Sequence, residues 1–375
     1  MPPKIAITHG DPNGIGYEVI LKALGDPKIL EMVTPVIYGS AKIASHYRKM
    51  MDLPPVQINQ INDAGDAKDG AVNLINVVDE SVHPEPGIST PQAGQAALAA
   101  LEAAVTDLRA GKTDALVTAP INKKNIQSDT FIFPGHTEYL ESSLGDGAKA
   151  LMVLCCENLR VALVTTHTPL AKVAEAVTAE AILDKLTVFD RSLRYDFGCH
   201  HPRIAVLSLN PHAGEEGLLG TEETDIIAPA LESARQQGIQ AYGPYAPDGF
   251  FGSGAFSHFD GVLAMYHDQG LAPFKTMAMD RGVNFTAGLP FVRTSPDHGT
   301  GYDIAGQGTA SEQSMREAIY AAIDIVRNRA REEEANANPL KRQYRPGDDK
   351  KPRGDRQRRD KDAPEAPEPA PAPEE

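Results

Sequence analysis

Short apolar runs alternate with helical patterns along most of the chain, and no other feature limits the possible folds as strongly. Strands that alternate with helices form βαβ units, so the sequence predicts an α/β fold with a largely parallel sheet. The apolar runs predict strands at residues 5–8, 36–38, 115–118, 151–154, 161–165, 204–209 and 262–265. Helical patterns lie at residues 17–24, 90–111, 170–177, 179–195, 221–237 and 309–326.

Length and charge limit the classes of function. A chain of 375 residues predicts about two domains. A formal net charge of −15 argues against nonspecific binding to nucleic acid or to an anionic membrane, so a phosphate must be captured by a local group of Lys and Arg. The three cysteines have no CxxC spacing, which indicates a reducing cytoplasm rather than a disulfide frame. No secretory signal core and no apolar run of about 18 residues is present, so no membrane span is predicted.

The C-terminal region has two predicted parts. Thr309 and Glu312 have the spacing of a capping box, which predicts the start of the last helix. After about Glu332 no apolar stripe continues, and the remaining residues are rich in proline and in charges of both signs. We therefore predict a disordered, charged and proline-rich tail at residues 334–375.

Histidines stand at the ends of three predicted strands, at His167, His212 and His267. In open α/β sheets, ligands bind beyond the carboxyl ends of the strands. Three neutral imidazoles at such an edge suit a catalytic divalent ion such as zinc. No local ligand motif such as HExxH is present, and any one of the three taken alone has the alternative of an ordinary structural histidine.

Further candidates lie in the stretch 261–308, which combines eight glycines with many polar side chains. Gly270 is predicted to mark a turn after the strand at 262–265. Lys275, Asn284 and Arg293 predict an anion site because Lys offers a point charge and Arg a planar fork. The alternative is a set of solvated surface cations.

Three shorter motifs remain open in meaning. His136 follows a Pro-Gly turn and precedes Thr137, which suits a substrate contact. Asp248 lies in Ala-Pro-Asp-Gly and is either a turn residue or a carboxylate that relays a proton. The glycines near the N-terminus do not match GxGxxG and indicate either a tight βα turn or a backbone lining for a ligand.

Seven ordered motifs resemble the 4-hydroxythreonine-4-phosphate dehydrogenase family of vitamin B6 synthesis. They are GDPNGIGYE, TAPINK, FPGHTEYL, VALVTTHTPL, LNPHAGEEGLLGTEE, VLAMYHDQGLAPFK and GVNFTAGLPFVRTSPDHGTGYDIAG, and the likeness covers about residues 5–326. The resemblance implies a two-domain α/β/α fold like that of isocitrate and isopropylmalate dehydrogenases. It also implies a homodimer with the active site at the interface. Residues 1–125 plus 266–333 are then the first, cofactor-side domain, and 126–265 the second, which carries the metal, substrate and dimer contacts.

The resemblance also implies a reaction and a set of residues. The reaction is the NAD- or NADP-linked oxidation of 4-phosphooxy-L-threonine at C3, followed by decarboxylation to 3-amino-2-oxopropyl phosphate, with zinc, magnesium or cobalt. The implied metal ligands are His167, His212 and His267. The implied substrate contacts are His136, Thr137, Lys275, Asn284 and Arg293. The segment HGTGYDIAGQG is similar to a cofactor loop, which implies contacts from Asp297, His298, Gly299 and Asp303. The implied proton relay is Asp248 or His136.

Three alternative functions stay open at this point. A sister dehydrogenase would act on a phosphorylated sugar acid such as 4-phospho-erythronate or phospho-threonate. A zinc hydrolase would use three imidazoles to activate water and would turn over without nicotinamide. A phosphate-ligand binding protein without catalysis would not need three strand-end histidines.

Overall fold

One twisted sheet organises the molecule. The computed structural model describes residues 1–128, 131–133, 135–157 and 159–339, and these form twelve strands in the order β3-β4-β2-β1-β5-β12-β11-β6-β7-β10-β8-β9. The strands are β1 Lys4–Thr8, β2 Thr34–Gly39, β3 Ile58–Ile61, β4 Val72–Asn76, β5 Ala115–Thr118, β6 Leu151–Cys156, β7 Leu159–Leu163, β8 Arg203–Leu207, β9 Gln240–Tyr245, β10 Gly261–Ala264, β11 Val283–Ala287 and β12 Val292–Pro296.

Helices connect the strands and cover the sheet. They are α1 Gly16–Ala23, α2 Ala41–Met50, α3 Pro91–Arg109, α4 His136–Leu144, α5 Val173–Ala176, α6 Ala179–Tyr195, α7 Ala228–Gln236, α8 Pro247–Gly252, α9 His267–Ala278 and α10 Gln313–Ala337. The predicted start of α3 is confirmed, because Pro91 is its first residue and the Thr90 hydroxyl accepts a hydrogen bond from the amide of Ala93 at 3.2 Å. No helix among the described residues is long and apolar enough to cross a membrane.

The predicted α/β class with a largely parallel sheet is confirmed. The strands from β3 to β12 in the sheet order are parallel, and so are β7, β10, β8 and β9. Between these two parallel groups, β12, β11, β6 and β7 pair in antiparallel fashion. β11 and β12 are joined by only four residues, 288–291, which is too short for a parallel crossover.

The predicted two-domain division follows the strand order. Strands from residues 1–125 and 266–333 occupy one side of the sheet, and those from 126–265 the other, with the β11–β6 pair between them. Residues 1–334 form one compact unit, so the division stays a prediction.

The turn predicted at Gly270 is wrong, because this residue lies inside α9. A Cβ atom there would stand 2.8 Å from Val161 Cγ1 and 2.9 Å from Leu163 Cδ2. Glycine therefore lets α9 approach β7 closely. Leu271 and Phe274 of the same helix share a buried cluster with these two residues, so α9 packs on the strands of the second predicted domain.

Two expectations for the C-terminal helix need correction. α10 begins at Gln313, whose amide donates to the Ser311 hydroxyl at 3.3 Å, so Thr309 is not its capping residue. The helix also continues to Ala337, because the Arg, Glu and Ala residues after the last apolar position are good helix formers. Most of the predicted disordered tail, residues 340–375, lies outside the described residues.

Candidate active site

A cavity of about 450 Å³ lies over the central strands, where the parallel groups give way to antiparallel pairs. Residues in register on neighbouring strands point to the same face of a sheet. Asn284 pairs with Ser295, Thr286 with Met152 and Arg293 with Leu116. Asn284 and Thr286 are two positions apart in β11, as are Arg293 and Ser295 in β12, so all four side chains share one face of the sheet. The cavity floor is therefore a polar stripe on one sheet face. The lining includes Thr118, Lys123, His136, Thr137, Glu138, Met152, His167, Lys185, Lys275, Asn284, Arg293, Ser295, Asp297, His298 and Gly299.

The alternation of polar and apolar residues in β11 is a sequence signal for this stripe. In β11, Val283, Phe285 and Ala287 are buried in the apolar core, and Asn284 and Thr286 alternate with them. Such a period of two marks a strand with two chemically different faces. A site was expected at the carboxyl ends of the strands. The cavity also extends from there over one face of the sheet.

Arg293 is buried in the cavity floor, and the Glu138 carboxylate in the same cavity acts on it through its charge without forming an ion pair. Its side chain is 4% exposed, and burial lowers its pKa to about 10. The Thr118 hydroxyl accepts from Nε at 3.1 Å and from one terminal nitrogen at 2.7 Å, and the Thr286 hydroxyl accepts from the other at 3.2 Å. No described carboxylate forms an ion pair with it. A buried cation whose described hydrogen-bond partners are all neutral favours an anionic ligand.

His136 begins α4 and packs against Arg293. A terminal nitrogen of Arg293 lies 3.2 Å from His136 Nδ1, and the buried Nε2 has no hydrogen-bond partner among the described residues. Burial, and then the charges of Arg293 and Lys123, hold the pKa of His136 well below its ordinary value. The imidazole is therefore neutral. Thr137 follows it in the first turn of the helix and also lines the cavity.

Other cations surround the same space. Lys275 Nζ stands 3.5 Å from the Asp297 carboxylate, and burial raises the pKa of Asp297. The buried Asn284 Oδ1 has no partner among the described residues. Sequence reasoning missed Lys123 and Lys185, although TAPINK contains the first and the helical pattern at 179–195 contains the second. The cations Lys123, Lys185, Lys275 and Arg293 thus share one cavity with the carboxylates of Glu138, Glu141 and Asp297, and they are the local cations that an acidic chain needs to hold a phosphate.

Two of the three strand-end histidines come together. β7, β10 and β8 are neighbouring parallel strands, and the rings of His167 and His267 have centroids 6.1 Å apart. Asp268 Oδ1 lies 2.7 Å from His267 Nδ1, which leaves Nε2 as the ring nitrogen for a metal. A carboxylate on one ring nitrogen is the usual support of a metal-binding imidazole. This pair of donors fits a divalent ion in its chemistry.

His212 does not join the pair within one chain. It is exposed and starts a run of left-handed backbone, from φ 52° at His212 to φ 56° at Glu216. The buried Glu223 carboxylate holds the base of this loop by accepting from the amides of Leu209 and Asn210 at 2.8 and 2.7 Å. Across the described residues, no group of three or more His, Cys, Asp or Glu is placed to hold a metal ion. The ligand set stays a prediction.

Asp248 also lies away from the cavity. It is exposed in the first turn of α8, after the edge strand β9, and is absent from the cavity lining. Its role as a proton relay stays a prediction.

The cofactor-like loop is fastened to the N-terminal glycine turn. Asp297, His298 and Gly299 line the cavity, whereas Asp303 is exposed. The Ile15 amide donates to the Thr300 carbonyl at 2.9 Å, and a Cβ atom at Gly14 would lie only 2.6 Å from that oxygen. His298 Nε2 is buried without a described partner. The unpaired Nε2 of His298 and the exposed carboxylate of Asp303 suit a polar ligand with hydroxyl groups, such as a nicotinamide dinucleotide.

Comparison with known proteins gives one consistent result. The family model described as pyridoxal phosphate biosynthetic protein PdxA matches residues 31–322. A 4-hydroxythreonine-4-phosphate dehydrogenase of Bacteroides thetaiotaomicron is 56% identical over 341 residues, which are 91% of this chain and 93% of the relative. A D-threonate 4-phosphate dehydrogenase of Pectobacterium atrosepticum is 39% identical, over 86% of this chain and 99% of that protein.

Solved structures agree with this result. The crystal structure of a 4-hydroxythreonine-4-phosphate dehydrogenase from Klebsiella pneumoniae superposes with a TM-score of 0.76 at 38% identity, and covers 87% of this chain and 98% of that one. A 4-hydroxythreonine-4-phosphate dehydrogenase from Burkholderia phymatum gives a TM-score of 0.72 at 35% identity, over 87% of this chain and 98% of that one.

Proposed function

The chain belongs to the pyridoxal phosphate biosynthetic protein PdxA family, and we propose that it is a 4-hydroxythreonine-4-phosphate dehydrogenase. In the proposed reaction, 4-phosphooxy-L-threonine and NAD(P)⁺ give 3-amino-2-oxopropyl phosphate, CO2 and NAD(P)H. One observation carries the proposal: a buried Arg293, which forms no ion pair with a described carboxylate, faces a cavity that also holds Lys275 and Asn284.

These three side chains are proposed to bind the substrate phosphate. Arg293 supplies a planar fork, Lys275 a point charge and Asn284 an amide NH2 group that can donate a hydrogen bond. His136 and Thr137 stand beside Arg293 at the start of α4 and complete the anion contacts. Fixing the phosphate orients C3 for reaction, and small errors in that orientation are costly in rate.

The metal and the nicotinamide are proposed to bind on either side of this anion site. His167 and His267 would hold a divalent ion, zinc, magnesium or cobalt, and Asp297, His298, Gly299 and Asp303 would contact NAD or NADP. A divalent ion held there supplies Lewis acidity toward the C3 hydroxyl, and the nicotinamide supplies the hydride acceptor.

We further propose a homodimer whose second copy brings His212 and Asp248 to the site. Both residues are exposed and lie off the cavity of their own chain, beyond the strands that carry His167 and His267. Asp248 would take the hydroxyl proton as C3 is oxidised, and a proton would return to C2 after CO2 leaves. The proposed setting is the cytoplasm.

The second candidate is the oxidation of D-threonate 4-phosphate. The relative from Pectobacterium atrosepticum favours it, because this chain matches that enzyme over 99% of the enzyme's length. The two candidate substrates differ at C2, where one carries an amino group and the other a hydroxyl.

The test is a turnover assay with the full chain. Nicotinamide reduction and CO2 release are measured with 4-phosphooxy-L-threonine, D-threonate 4-phosphate and 4-phospho-erythronate, with each divalent metal in turn. We expect the highest kcat/KM with 4-phosphooxy-L-threonine and one CO2 per reduced nicotinamide. A preference for either sugar acid would move the assignment to the sister reaction. Turnover without nicotinamide would indicate a hydrolase instead.

A further inference from the structure

The contact between Arg293 and His136 determines which ring nitrogen carries the proton. A guanidinium has only donors and stays charged even when buried. The nitrogen that faces it at 3.2 Å, Nδ1, must therefore present its lone pair. A neutral imidazole carries one proton, so that proton lies on Nε2. Nε2 is buried at the cavity and lacks a partner among the described residues, so it is a donor without an acceptor.

We propose that His136 is a neutral hydrogen-bond donor, through Nε2–H, to an anionic oxygen of the bound substrate, and that it does not relay protons. Thr118 and Thr286 are the positioning residues that hold Arg293, and through it His136, in this arrangement. The inference rests on the proposed function for the identity of the anion, a phosphorylated hydroxy acid. Asp248 is then the remaining candidate for the proton relay.

The geometry argues against a relay at His136 from both of its nitrogens. Nδ1 is occupied by the guanidinium of Arg293, and Nε2 already carries the single proton of the neutral ring. A relay through Nε2 would need an imidazolium next to Arg293 and close to the charge of Lys123. A donor that stays neutral avoids this repulsion and still binds an anion.

Neutral hydroxyls are the reason that Arg293 remains available. Thr118 and Thr286 are fully buried and give the guanidinium three hydrogen bonds without cancelling its charge. A carboxylate in either place would form an ion pair and weaken the attraction for the substrate. The two threonines come from β5 and β11, on either side of the strand that carries Arg293. They therefore fix the side chain from both flanks.

The tautomer can be measured directly. ¹⁵N–¹H correlation spectra of the ring nitrogens are recorded on the full chain labelled at histidine, and His136→Gln assigns the signal that disappears. We expect a neutral ring protonated at Nε2 near pH 7, and a shift of this Nε2–H signal when inorganic phosphate is added. A ring protonated at Nδ1, or at both nitrogens, would overturn the proposal. Neither result depends on dehydrogenase turnover, so the proposed function is tested separately.

A matched pair of substitutions separates a donor from a relay. The amide nitrogen of His136→Gln reaches the position of Nε2, whereas His136→Asn reaches only the position of Nδ1. Neither side chain titrates. As a donor, His136→Gln keeps kcat/KM within about fivefold, and His136→Asn loses about 10- to 100-fold. If both variants lose activity equally while staying folded and still binding NAD(P), His136 relays protons and the proposal fails.

The positioning role is tested at the two threonines. Thr118→Val keeps the side-chain volume but removes the acceptor of two hydrogen bonds, so the KM for substrate and the inhibition constant of inorganic phosphate should rise about tenfold. Thr286→Val removes one bond and should have a smaller effect, and Thr118→Ser should restore both constants. The KM for NAD(P) should not change. Unchanged phosphate inhibition in a folded Thr118→Val would contradict the positioning role.

Discussion

The phenol of Tyr302 donates a 2.6 Å hydrogen bond to the buried carboxylate of Asp11, and this bond ties the cofactor-like loop to the turn after β1. Burial and then Asp11 raise the pKa of Tyr302 to about 12, so the phenol keeps its proton and remains the donor. Asp11 also accepts from the Asn125 amide at 2.7 Å. The Asp11 carboxylate thus connects three segments: the turn after β1, the loop that contains Tyr302 and the segment that contains Asn125.

Tyr302→Phe tests whether this bond positions the cofactor loop. The variant should raise the KM for NAD(P) about fivefold and lower the free energy of unfolding by about 2 kcal/mol, the value of a hydrogen bond to a charged group. Steady-state kinetics and denaturant unfolding measure both. Tyr242→Phe is the control, because that phenol is exposed and donates to the nearby Gln240 at 3.2 Å. An unchanged KM for NAD(P) in Tyr302→Phe would show that the loop holds its place without the bond.

His212→Ala tests the proposed metal set. The variant should lose most bound divalent metal and nearly all turnover, because two imidazoles bind an ion far more weakly than three. Elemental analysis and titration calorimetry measure the bound metal. The metal-free variant should have the same melting temperature as the metal-free wild type. His258→Ala is the control, since this histidine lies near the sheet edge at β9. Stoichiometric metal and normal turnover in His212→Ala would exclude this ligand.

His9 should make stability depend on pH. Burial lowers its pKa from 6.5 to about 4, although backbone groups of Ala96 and Gly10 oppose the shift. Between these values the unfolded chain binds a proton that the folded chain does not, so stability falls as the pH drops from about 6.5 to 4. The total loss is about 3 kcal/mol. His9→Phe keeps the ring that stacks on Tyr17 at 5.1 Å and should be less dependent on pH across this window. Equal slopes for the two proteins would contradict this account.

Gly270→Ala should destabilise the fold. The added methyl group would stand 2.8 Å from Val161 Cγ1 and push α9, which begins at His267, away from β7. Such overpacking costs about 1–3 kcal/mol. Gly252→Ala in α8 is the matched control, because its added methyl group meets no atom within 4 Å. Denaturant unfolding decides between them: a Gly270→Ala protein as stable as the control would mean that the helix adjusts without cost.

Sequence patterns predicted the α/β class because it follows from local alternation. Strands such as Ala115–Thr118 and the cap at Thr90 depend on nearby residues, and both are confirmed. The antiparallel pairs around β11 were not predicted, because pairing depends on distant partners. Gly270 was misread since its role is a contact with Val161, far away in the chain.

The candidate site was predicted in part for the same reason. Sequence motifs marked Lys275, Asn284 and Arg293, and the structure brings all three to one cavity. The hydroxyls that hold Arg293 were not found, because threonines in strands are common and only the register shows which face they share. The three strand-end histidines follow neighbouring parallel strands, but the left-handed backbone at His212 has no signal in a strand pattern.

The central claim is that the buried guanidinium of Arg293 binds the phosphate of the substrate. The most direct measurement is the ratio of kcat/KM for 4-phosphooxy-L-threonine to kcat/KM for 4-hydroxy-L-threonine, in the wild type and in Arg293→Ala. We predict a ratio of about 1,000 or more in the wild type, and a fall of at least about 100-fold in the variant, because a charged hydrogen-bonded contact contributes about 3 kcal/mol or more. NAD(P) and metal binding should stay close to wild type. Equal kcat/KM values for the two acids in the wild type would contradict the account.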